Sequence, residues 1–518
     1  MSAAKRADLA WGRLMNILHK MLLASAAGLA LAGAAQAADI PTKKTPPVAA
    51  KPNCYASFWT WLDSTAADCP LSAYGVTVYG TIDMGGGYET NASRFNKDYP
   101  QGVGELIAKY SNGARWQLVP NGLSQSNVGV KIKEQIVPNW FVVGDVNLGF
   151  DPYSMRFADG PKSLVDNNDV SLADQTANSD SSRSTGWDNT RAYLGVSNST
   201  FGTLTAGRQY AFSNDLSSAY DPFGGSYAFS MIGNSSTFVG GTGDTETARY
   251  NTSVKYQVTY NGFRAGALAQ VGGWEQGNGA ESAYQFDFGG DIGGLSLDAV
   301  YAYAKDAVTL SNYPSGAPTP DTLKATLADV NAGVIGAKYK WQSLTVFGGY
   351  EYARLSSPSD PYGATGAKNG DTLTFNGGYP GVVQADAYVN PKDLQVLWVG
   401  GKYGILSNLD FIAGYYYAWQ NNYTNPDTKY NTGGTSTAKG VGCGPNLNPA
   451  IPGATPQGSN AAACAGHEDA VSAMLDWRPV KRVDLYAGVM YSEVAGGMAN
   501  GFIHSNNTAY TSGVRVNF

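Results

Sequence analysis

Few residues of this chain have the types and spacing that covalent chemistry needs. After the first forty residues there are two histidines, His467 and His504, and neither has a Ser/Asp partner at a spacing that supports a catalytic triad. The glycine runs at 85–87 and 240–243 lack both the Lys-Ser/Thr phosphate signature and a following helix. We therefore expect neither an enzyme nor a bound cofactor.

Nine charged residues are better candidates, because they lie in or beside segments of alternating polarity. The basic ones are Lys131, Lys133, Arg191, Arg208 and Arg249, and the acidic ones are Asp215, Asp221, Asp244 and Glu246. Opposite charges that line a narrow aqueous passage sort solutes by size and charge without a binding pocket. The alternative interpretation is that these charges are merely solvated, and that Asp244 and Glu246 pair with Arg249 at the base of a loop.

Composition and the N-terminus indicate an exported protein that is neither an ordinary soluble enzyme nor a helical membrane protein. Charged residues make up 15% of the chain, against about 25% in typical globular proteins. No stretch after the first forty residues approaches the roughly 18 to 20 apolar residues of a spanning helix. Basic residues, the apolar run 21–35 and an Ala-Gln-Ala pattern predict a signal peptide over residues 1–37. The mature chain has a net charge of about −9, which argues against a nucleic-acid partner.

All four cysteines lie in the mature chain, and their spacing does not fit a metal site. Three pairings are possible. The two local ones, Cys54 with Cys69 and Cys443 with Cys464, are favoured because an exported chain enters an oxidising compartment. We expect residues 38–72 to be a flexible leader followed by a segment stapled by Cys54 and Cys69, and residues 73–518 to form the main domain.

From Tyr74 to the last residue the chain alternates with period two, which predicts β-strands with one apolar and one polar face. Val128, Val130 and Ile132, for example, alternate with Lys131 and Lys133. The strands number about sixteen, with about ten residues each, and short turns alternate with long polar loops. The tight turns are expected at residues 137–139, 199–200, 261–262, 293–294, 342–343, 406–408 and 481–482. This pattern predicts an all-β fold, a transmembrane antiparallel β-barrel of the bacterial outer membrane.

A large soluble β-sandwich is the alternative fold, since it would bury the apolar faces in a common core. Two observations favour the barrel. First, the alternate residues that form one face of each strand are expected to be polar along the whole strand. Second, aromatic residues such as Trp140, Trp341 and Trp477 gather near strand ends, as they do in the girdles of membrane barrels.

Alternation places most of the basic candidates on the water-filled side of such a barrel. The alternation puts four of them on the polar face of their strands, namely Lys131, Lys133, Arg191 and Arg249. Strict alternation groups Arg208 instead with the apolar, lipid-facing residues. An arginine that faces lipid near the bilayer midplane costs about 2–4 kcal/mol. We therefore expect the strand to end or bulge before Arg208.

Several stretches together resemble the trimeric, sixteen-stranded general porins of Gram-negative bacteria. They are residues 74–83, which contain a Tyr-Gly-x-x-Asp motif, residues 191–196, residues 201–209, which read Phe-Gly-x-Leu-x-x-Gly-Arg-Gln, and residues 249–254. The last strand ends on Phe518 and resembles the assembly signal of outer-membrane proteins. The segment around Cys54 and Cys69 looks more like that of porins from α-proteobacteria.

The resemblance implies a homotrimer in contact with outer-membrane lipid, in which each barrel conducts small hydrophilic solutes and ions. It also implies that the third long loop, residues 211–246, folds inward and sets acidic groups against a basic wall. The turn from Asp221 to Gly225 resembles the family's inward turn but lacks the acidic residue that often lies between its Pro and its aromatic residue. Asp215 and Asp221 are then the substitutes. The alternatives are an adhesive or receptor barrel that binds through its long external loops, and an outer-membrane barrel enzyme.

Overall fold

The structure is a computed structural model that describes residues 53–92, 105–107, 113–153, 155, 189–233, 249–271, 282–307, 328–356, 372–373, 383–384, 390–423, 465–499 and 504–518. The chain divides into two compact units, Met1–Asn53 and Cys54–Phe518, and every element below belongs to the second. Within the described ranges, no helix combines the length and the apolar character that a membrane span requires.

Strands dominate the described chain, and the helices are short. The helices are α1 (Phe58–Leu62), α2 (Phe212–Tyr220) and a 3-10 helix (Gly497–Ala499). The strands are β1 (Leu71–Ala73), β2 (Val76–Glu89), β3 (Arg115–Pro120), β4 (Asn127–Val137), β5 (Trp140–Gly149), β6 (Asn189–Asn198), β7 (Gly202–Tyr210), β8 (Arg249–Tyr260), β9 (Phe263–Gln270), β10 (Ser282–Ile292), β11 (Leu295–Ala307), β12 (Ala328–Trp341), β13 (Leu344–Ser356), β14 (Thr372–Leu373), β15 (Val383–Gln384), β16 (Lys392–Leu406), β17 (Leu409–Gln420), β18 (Gly466–Val480), β19 (Val483–Gly496) and β20 (Asn506–Asn517).

Each long strand pairs antiparallel with its neighbours along the chain, and β20 pairs with β2 to close the ring. β3 and β4 pair with the two halves of β2 and form one interrupted strand, while β1 adds a short segment beside β2. With β14 and β15 in a separate ladder, the result is a closed sixteen-stranded antiparallel β-barrel. The predicted fold class is confirmed.

The tight turns connect the strands at one end of the barrel, which we call the turn end, and all seven lie where the sequence predicts them. Asn139 and Asn261 take positive φ values of 67° and 49° in two of them, a conformation that asparagine tolerates better than most residues. Because these turns are short, consecutive strands must be antiparallel neighbours.

The outer face of the barrel is apolar. Val128, Val130 and Ile132 are 38–39% exposed, and they alternate with the inward-facing Lys131 and Lys133 of the same strand. In β17, Phe411 and Tyr415 face outward in the same way and are about 40% exposed. A continuous outer apolar band of this kind suits a hydrocarbon environment.

The inner face differs from the expectation that one face of every strand is polar along its whole length. The barrel strands β10 to β13 and β16 to β19 carry apolar residues on their inner side, among them Val300, Val334, Val396 and Met490, and these are at most 6% exposed. They form one cluster with Phe212, Leu216, Phe229 and other residues of the loop that follows β7. The expectation is wrong for this part of the barrel because a loop, rather than water, covers the inner wall.

A disulfide joins Cys54 and Cys69, whose Cα atoms are 5.6 Å apart. It encloses α1, where the Ser57 hydroxyl accepts a hydrogen bond from the Thr60 N–H at 3.1 Å and so caps the first turn. The predicted partners Cys443 and Cys464 lie outside the described residues.

Candidate functional site

The loop after β7 folds into the barrel and begins with α2. We call residues 211–233 the inner loop. Phe212, Leu216 and Tyr220 recur every four residues and are buried against the barrel wall, as expected for the apolar face of a helix. The helix contacts the inner side of β10, β11, β12 and β13.

Glycines in the wall make room for the side chains of the inner loop. A Cβ atom at Gly336 would lie 2.7 Å from the Cβ of Tyr220, and one at Gly400 would lie 2.6 Å from Pro222. Any larger residue at these positions would force the loop away from the wall. The same arrangement recurs for Gly266 with Phe212, Gly414 with Phe223, and Gly488 with Phe229.

Hydrogen bonds from the wall hold the end of α2. The indole Nε1 of Trp398 donates to the carbonyl of Tyr220 at 3.0 Å, and Lys338 Nζ donates to the carbonyl of Ala219 at 3.2 Å. The Tyr220 hydroxyl donates to Asp298 and accepts from Arg264 Nη2 at 3.1 Å. These wall groups satisfy the last carbonyls of the helix, which have no partner within it.

Asp221 organises the turn that follows α2. Its carboxylate accepts hydrogen bonds from the N–H groups of Phe223 at 3.0 Å and Gly225 at 2.9 Å, and from the hydroxyl of Tyr416. The residue is 2% exposed. Burial raises the pKa of Asp221 to about 6, while the hydrogen bonds from Tyr416 and Gly225 oppose the rise.

The far part of the inner loop is attached to the short segment between β3 and β4. Ser226 Oγ and the N–H of Ala228 both donate to the carbonyl of Gly122, at 2.7 and 2.9 Å. Gly122 lies in the short segment between β3 and β4, which Asp83 holds by accepting from the N–H of Leu123 at 2.7 Å. The inner loop is therefore fixed along the wall by barrel strands from β9 to β13 and from β16 to β19, and again by the segment between β3 and β4.

Two arginines flank an aromatic ring where the inner loop begins. The guanidinium carbons of Arg191 and Arg249 lie 4.8 and 5.2 Å from the ring centroid of Tyr210. Arg208 interacts electrostatically with Arg249 and Tyr210. Three of the five predicted basic residues are thus brought together on neighbouring strands β6, β7 and β8.

Arg208 reaches this group because β7 and β8 are irregular at that point. The pairing of Gly207 with Ser253 is followed by that of Gln209 with Tyr250, so β8 contributes one extra residue. Gly207 and Thr252 have positive φ values of 133° and 45°. The sequence predicts that β7 ends or bulges before Arg208. Instead β7 continues to Tyr210 and the extra residue lies on its partner strand β8, opposite Arg208, which is only 9% exposed.

The remaining basic candidates lie on the inner side of β4. Lys131 Nζ is 4.3 Å from the ring centroid of Tyr79, and Lys133 Nζ is 5.1 Å from that of Phe141. Tyr79 also accepts from Arg191 Nη2 at 3.1 Å, so Lys131 and Arg191 share one aromatic neighbour. Both lysines are exposed.

Arg191 has an acidic neighbour, Asp145, on the inner side of β5. In the sequence, the alternation of β5 indicates only weakly that Asp145 faces inward. Asp145 Oδ2 lies 3.4 Å from Arg191 Nη2, and Asp145 also accepts from the hydroxyl of Tyr79. Asn147 donates to the same hydroxyl at 3.0 Å. This network orients the guanidinium of Arg191 toward Tyr210.

Of the four predicted acidic residues, the structure describes two, and they differ in surroundings. Asp215 lies in the first turn of α2 and pairs with Lys255 Nζ at 2.7 Å, with its side chain 43% exposed. Asp221 is buried as described above, and Asp244 and Glu246 lie outside the described residues. Lys255 is absent from the sequence prediction although its polar parity in β8 could have indicated it. It also donates to the carbonyl of Tyr210 at 2.9 Å.

Two further acidic residues missed by the sequence prediction lie near Asp215 on the inner wall. Asp287 in β10 interacts electrostatically with Asp298, Arg264, Lys255 and Asp215. Asp298 pairs with Arg264 Nη2 at 3.0 Å. Both have inward parity, but only the folded loop shows that they lie beside α2.

Phe518 closes the barrel. Its N–H and carbonyl exchange hydrogen bonds with Gly80 of β2, at 2.9 and 3.0 Å. Its predicted role as an assembly signal concerns a recognition event and stays a prediction.

Comparison with known proteins identifies the class to which this barrel belongs. A sequence model described as Gram-negative porin matches residues 24–497. The chain belongs to the Gram-negative porin family. It is therefore an outer-membrane porin channel in contact with membrane lipid. No curated protein sequence matches it.

The fold resembles that of a solved porin structure. The anion-selective porin from Comamonas acidovorans has 14% identity and a TM-score of 0.50, over 86% of this chain and 99% of that porin. OmpT, an outer membrane protein of Vibrio cholerae, has 14% identity and a TM-score of 0.49, over 87% and 100%. OmpF of Salmonella typhi, in complex with daunomycin, has 12% identity and a TM-score of 0.43, over 86% and 97%.

Proposed function

We propose that this porin lets small hydrophilic solutes and ions diffuse passively, and that they are filtered between the inner loop and a basic wall. The basic wall consists of Lys131, Lys133, Arg191, Arg208 and Arg249. The observation that carries the proposal is the convergence of Arg191, Arg208 and Arg249 around Tyr210, at the root of the inner loop. Fixed charges in a narrow low-dielectric passage focus the field on passing ions.

We assign the acidic side of the filter to Asp215 and Asp287 rather than to Asp221. Asp215 and Asp287 are both partly exposed, so both can act on ions in water. Asp221 is buried, and its carboxylate is occupied by hydrogen bonds within the loop and with Tyr416. Its role in this proposal is to hold the inner loop. Asp244 and Glu246 remain candidates for the same side.

The charge filter predicts a change in ion selectivity when arginines of the basic wall are neutralised. Arg208→Gln together with Arg249→Gln should shift the reversal potential in a salt gradient toward cation preference, because the wall loses two positive charges where the inner loop begins. Planar bilayer recordings with purified protein measure this shift. Arg354→Gln is the matched control, because Arg354 is 48% exposed on the outward parity of β13.

Three outcomes would contradict the proposal. An unchanged reversal potential in the double variant would remove Arg208 and Arg249 from the filter. A purified barrel that never conducts would exclude passive diffusion and favour the adhesive alternative, in which long loops bind an external partner. Loss of a measured hydrolytic activity on changing one Ser or His, without conductance, would favour the enzyme alternative.

We also propose that the barrel works as a homotrimer after removal of residues 1–37. Three equal conductance steps that appear together in bilayers, and a chemical cross-link ladder that stops at three, are the expected results. Single isolated steps with no cross-linked species would contradict the trimer while leaving the channel proposal intact.

A further inference from the structure

The junction between β2 and β20, which we call the seam, is the place where the barrel closes. β20 pairs with β2 only from Thr81 to Glu89, and Phe518 pairs with Gly80. β2 extends further toward the turn end than β20 does. An unpaired strand edge beside lipid would leave backbone groups without hydrogen-bond partners, which costs several kcal/mol per group.

β1 covers this overhang. Leu71 pairs with Val78 and Ala73 with Val76, directly beyond the position that Phe518 occupies. Leu71 is 37% exposed and, with Val78, continues the outer apolar face. β1 therefore takes the place in the wall that a longer β20 would fill.

Arg482 connects the segment before β1 to the other side of the seam. It lies in the turn between β18 and β19 and is 1% exposed. Its Nε donates to the carbonyl of Trp61 at 2.9 Å, and its Nη2 donates to those of Thr65 at 3.1 Å and Cys69 at 2.7 Å. A buried guanidinium is tolerated only when its donors are satisfied, and the stapled segment supplies the acceptors.

The same arginine is also tied to the last strand. The N–H of Asn517 donates to the carbonyl of Arg482 at 2.9 Å, and the guanidinium carbon lies 4.3 Å from the ring centroid of Trp61. The segment is thus covalently continuous with β2 on one side of the seam and bound through Arg482 to β19 and β20 on the other. The Cys54–Cys69 disulfide closes the loop that presents the three carbonyls.

We propose that residues 54–73 form a seam clamp, which Arg482 and the Cys54–Cys69 disulfide lock across the β2–β20 junction to keep the barrel closed at its turn end. The clamp preserves the barrel rather than filtering solutes, and it is independent of the selectivity proposed above. Reduction of the disulfide by a dithiol, which supplies two electrons and two protons and leaves as a cyclic disulfide, releases the clamp.

The test compares the heat resistance of folded full-length variants. Porin folded in detergent is heated in SDS at graded temperatures, and the fraction that keeps its folded gel mobility is measured. Arg482→Ala and the Cys54→Ser/Cys69→Ser variant should each lose the folded form several degrees below wild type. The matched controls are Lys481→Ala, which removes the exposed cation next in the same turn, and Cys443→Ser/Cys464→Ser. Both controls should behave as wild type.

Combining the changes separates a clamp from two unrelated weaknesses. The triple variant combines Arg482→Ala with Cys54→Ser/Cys69→Ser. If Arg482 and the disulfide act through one element, this variant should be as heat-resistant as the less heat-resistant of its two parent variants, because coupled changes are not additive. Additive losses, or wild-type heat resistance in either parent variant, would overturn the proposal.

Arg482→Ala could fail to fold at all, so a second measurement starts from folded protein. Treating the folded Cys443→Ser/Cys464→Ser barrel with dithiothreitol should lower its heat resistance to that of Cys54→Ser/Cys69→Ser. No change after complete reduction, measured by thiol labelling, would equally overturn the clamp.

Discussion

Truncation of Asp221 should detach the inner loop from the barrel wall. The carboxylate accepts hydrogen bonds from Phe223, Gly225, Tyr416 and Ser230, and hydrogen bonds to a charged group contribute about 1.5–3 kcal/mol each. Asp221→Ala leaves these donors buried without this acceptor. Water that enters the vacated space offsets part of the loss, so we expect about 3–5 kcal/mol, the range for breaking a buried charged interaction.

A loss of about 3 kcal/mol changes the ratio of docked to detached loops by about 100-fold. In bilayer recordings Asp221→Ala should therefore give a larger mean conductance and more open-channel noise than wild type. Asp221→Asn should be intermediate, because its amide oxygen can still accept while its amide nitrogen cannot. Limited proteolysis of folded protein gives an independent measure of loop detachment.

Asp215→Ala is the control within the same loop. Its carboxylate is 43% exposed and makes one ion pair, with Lys255, and such pairs contribute about 0.2–1 kcal/mol. It should change selectivity without added noise or faster cleavage. If Asp221→Ala keeps the wild-type conductance, noise and cleavage rate, then Asp221 does not hold the loop despite its burial.

Two further predictions concern the same loop. Burial raises the pKa of Asp221 from 3.8 to about 6, so the docked loop binds the proton more tightly. Docking should be strongest below about pH 4 and should weaken as the pH rises to about 6, so open-channel noise should increase over this range. Wild-type noise that does not change with pH, or an equally steep change in Asp221→Asn, would contradict this. Gly336→Ala places a Cβ 2.7 Å from Tyr220, whereas Gly333→Ala on the same strand meets nothing within 4 Å. Overpacking costs about 1–3 kcal/mol, so only Gly336→Ala should raise conductance, and equal conductance in both variants would refute the packing.

The sequence alone determined the features that depend on local geometry. Side chains of a strand alternate between two faces whatever the strand pairs with, so alternation is enough to assign Lys131, Lys133 and Arg191 to the inner side. The seven tight turns were equally predictable, because turn residues act within two or three positions. Arg208 shows the same principle in reverse, because its misplaced parity predicts an irregularity at this point, although not that the extra residue belongs to β8.

Only the tertiary structure decided which groups meet across large sequence distances. Tyr220 is held by Trp398, 178 residues away, and Asp221 by Tyr416, 195 residues away. No local pattern encodes such contacts, so the sequence could not separate the buried Asp221 from the exposed Asp215. The glycines that receive the inner loop, the apolar inner wall and the contacts of Arg482 have the same origin. Each depends on a neighbour that barrel closure brings into place.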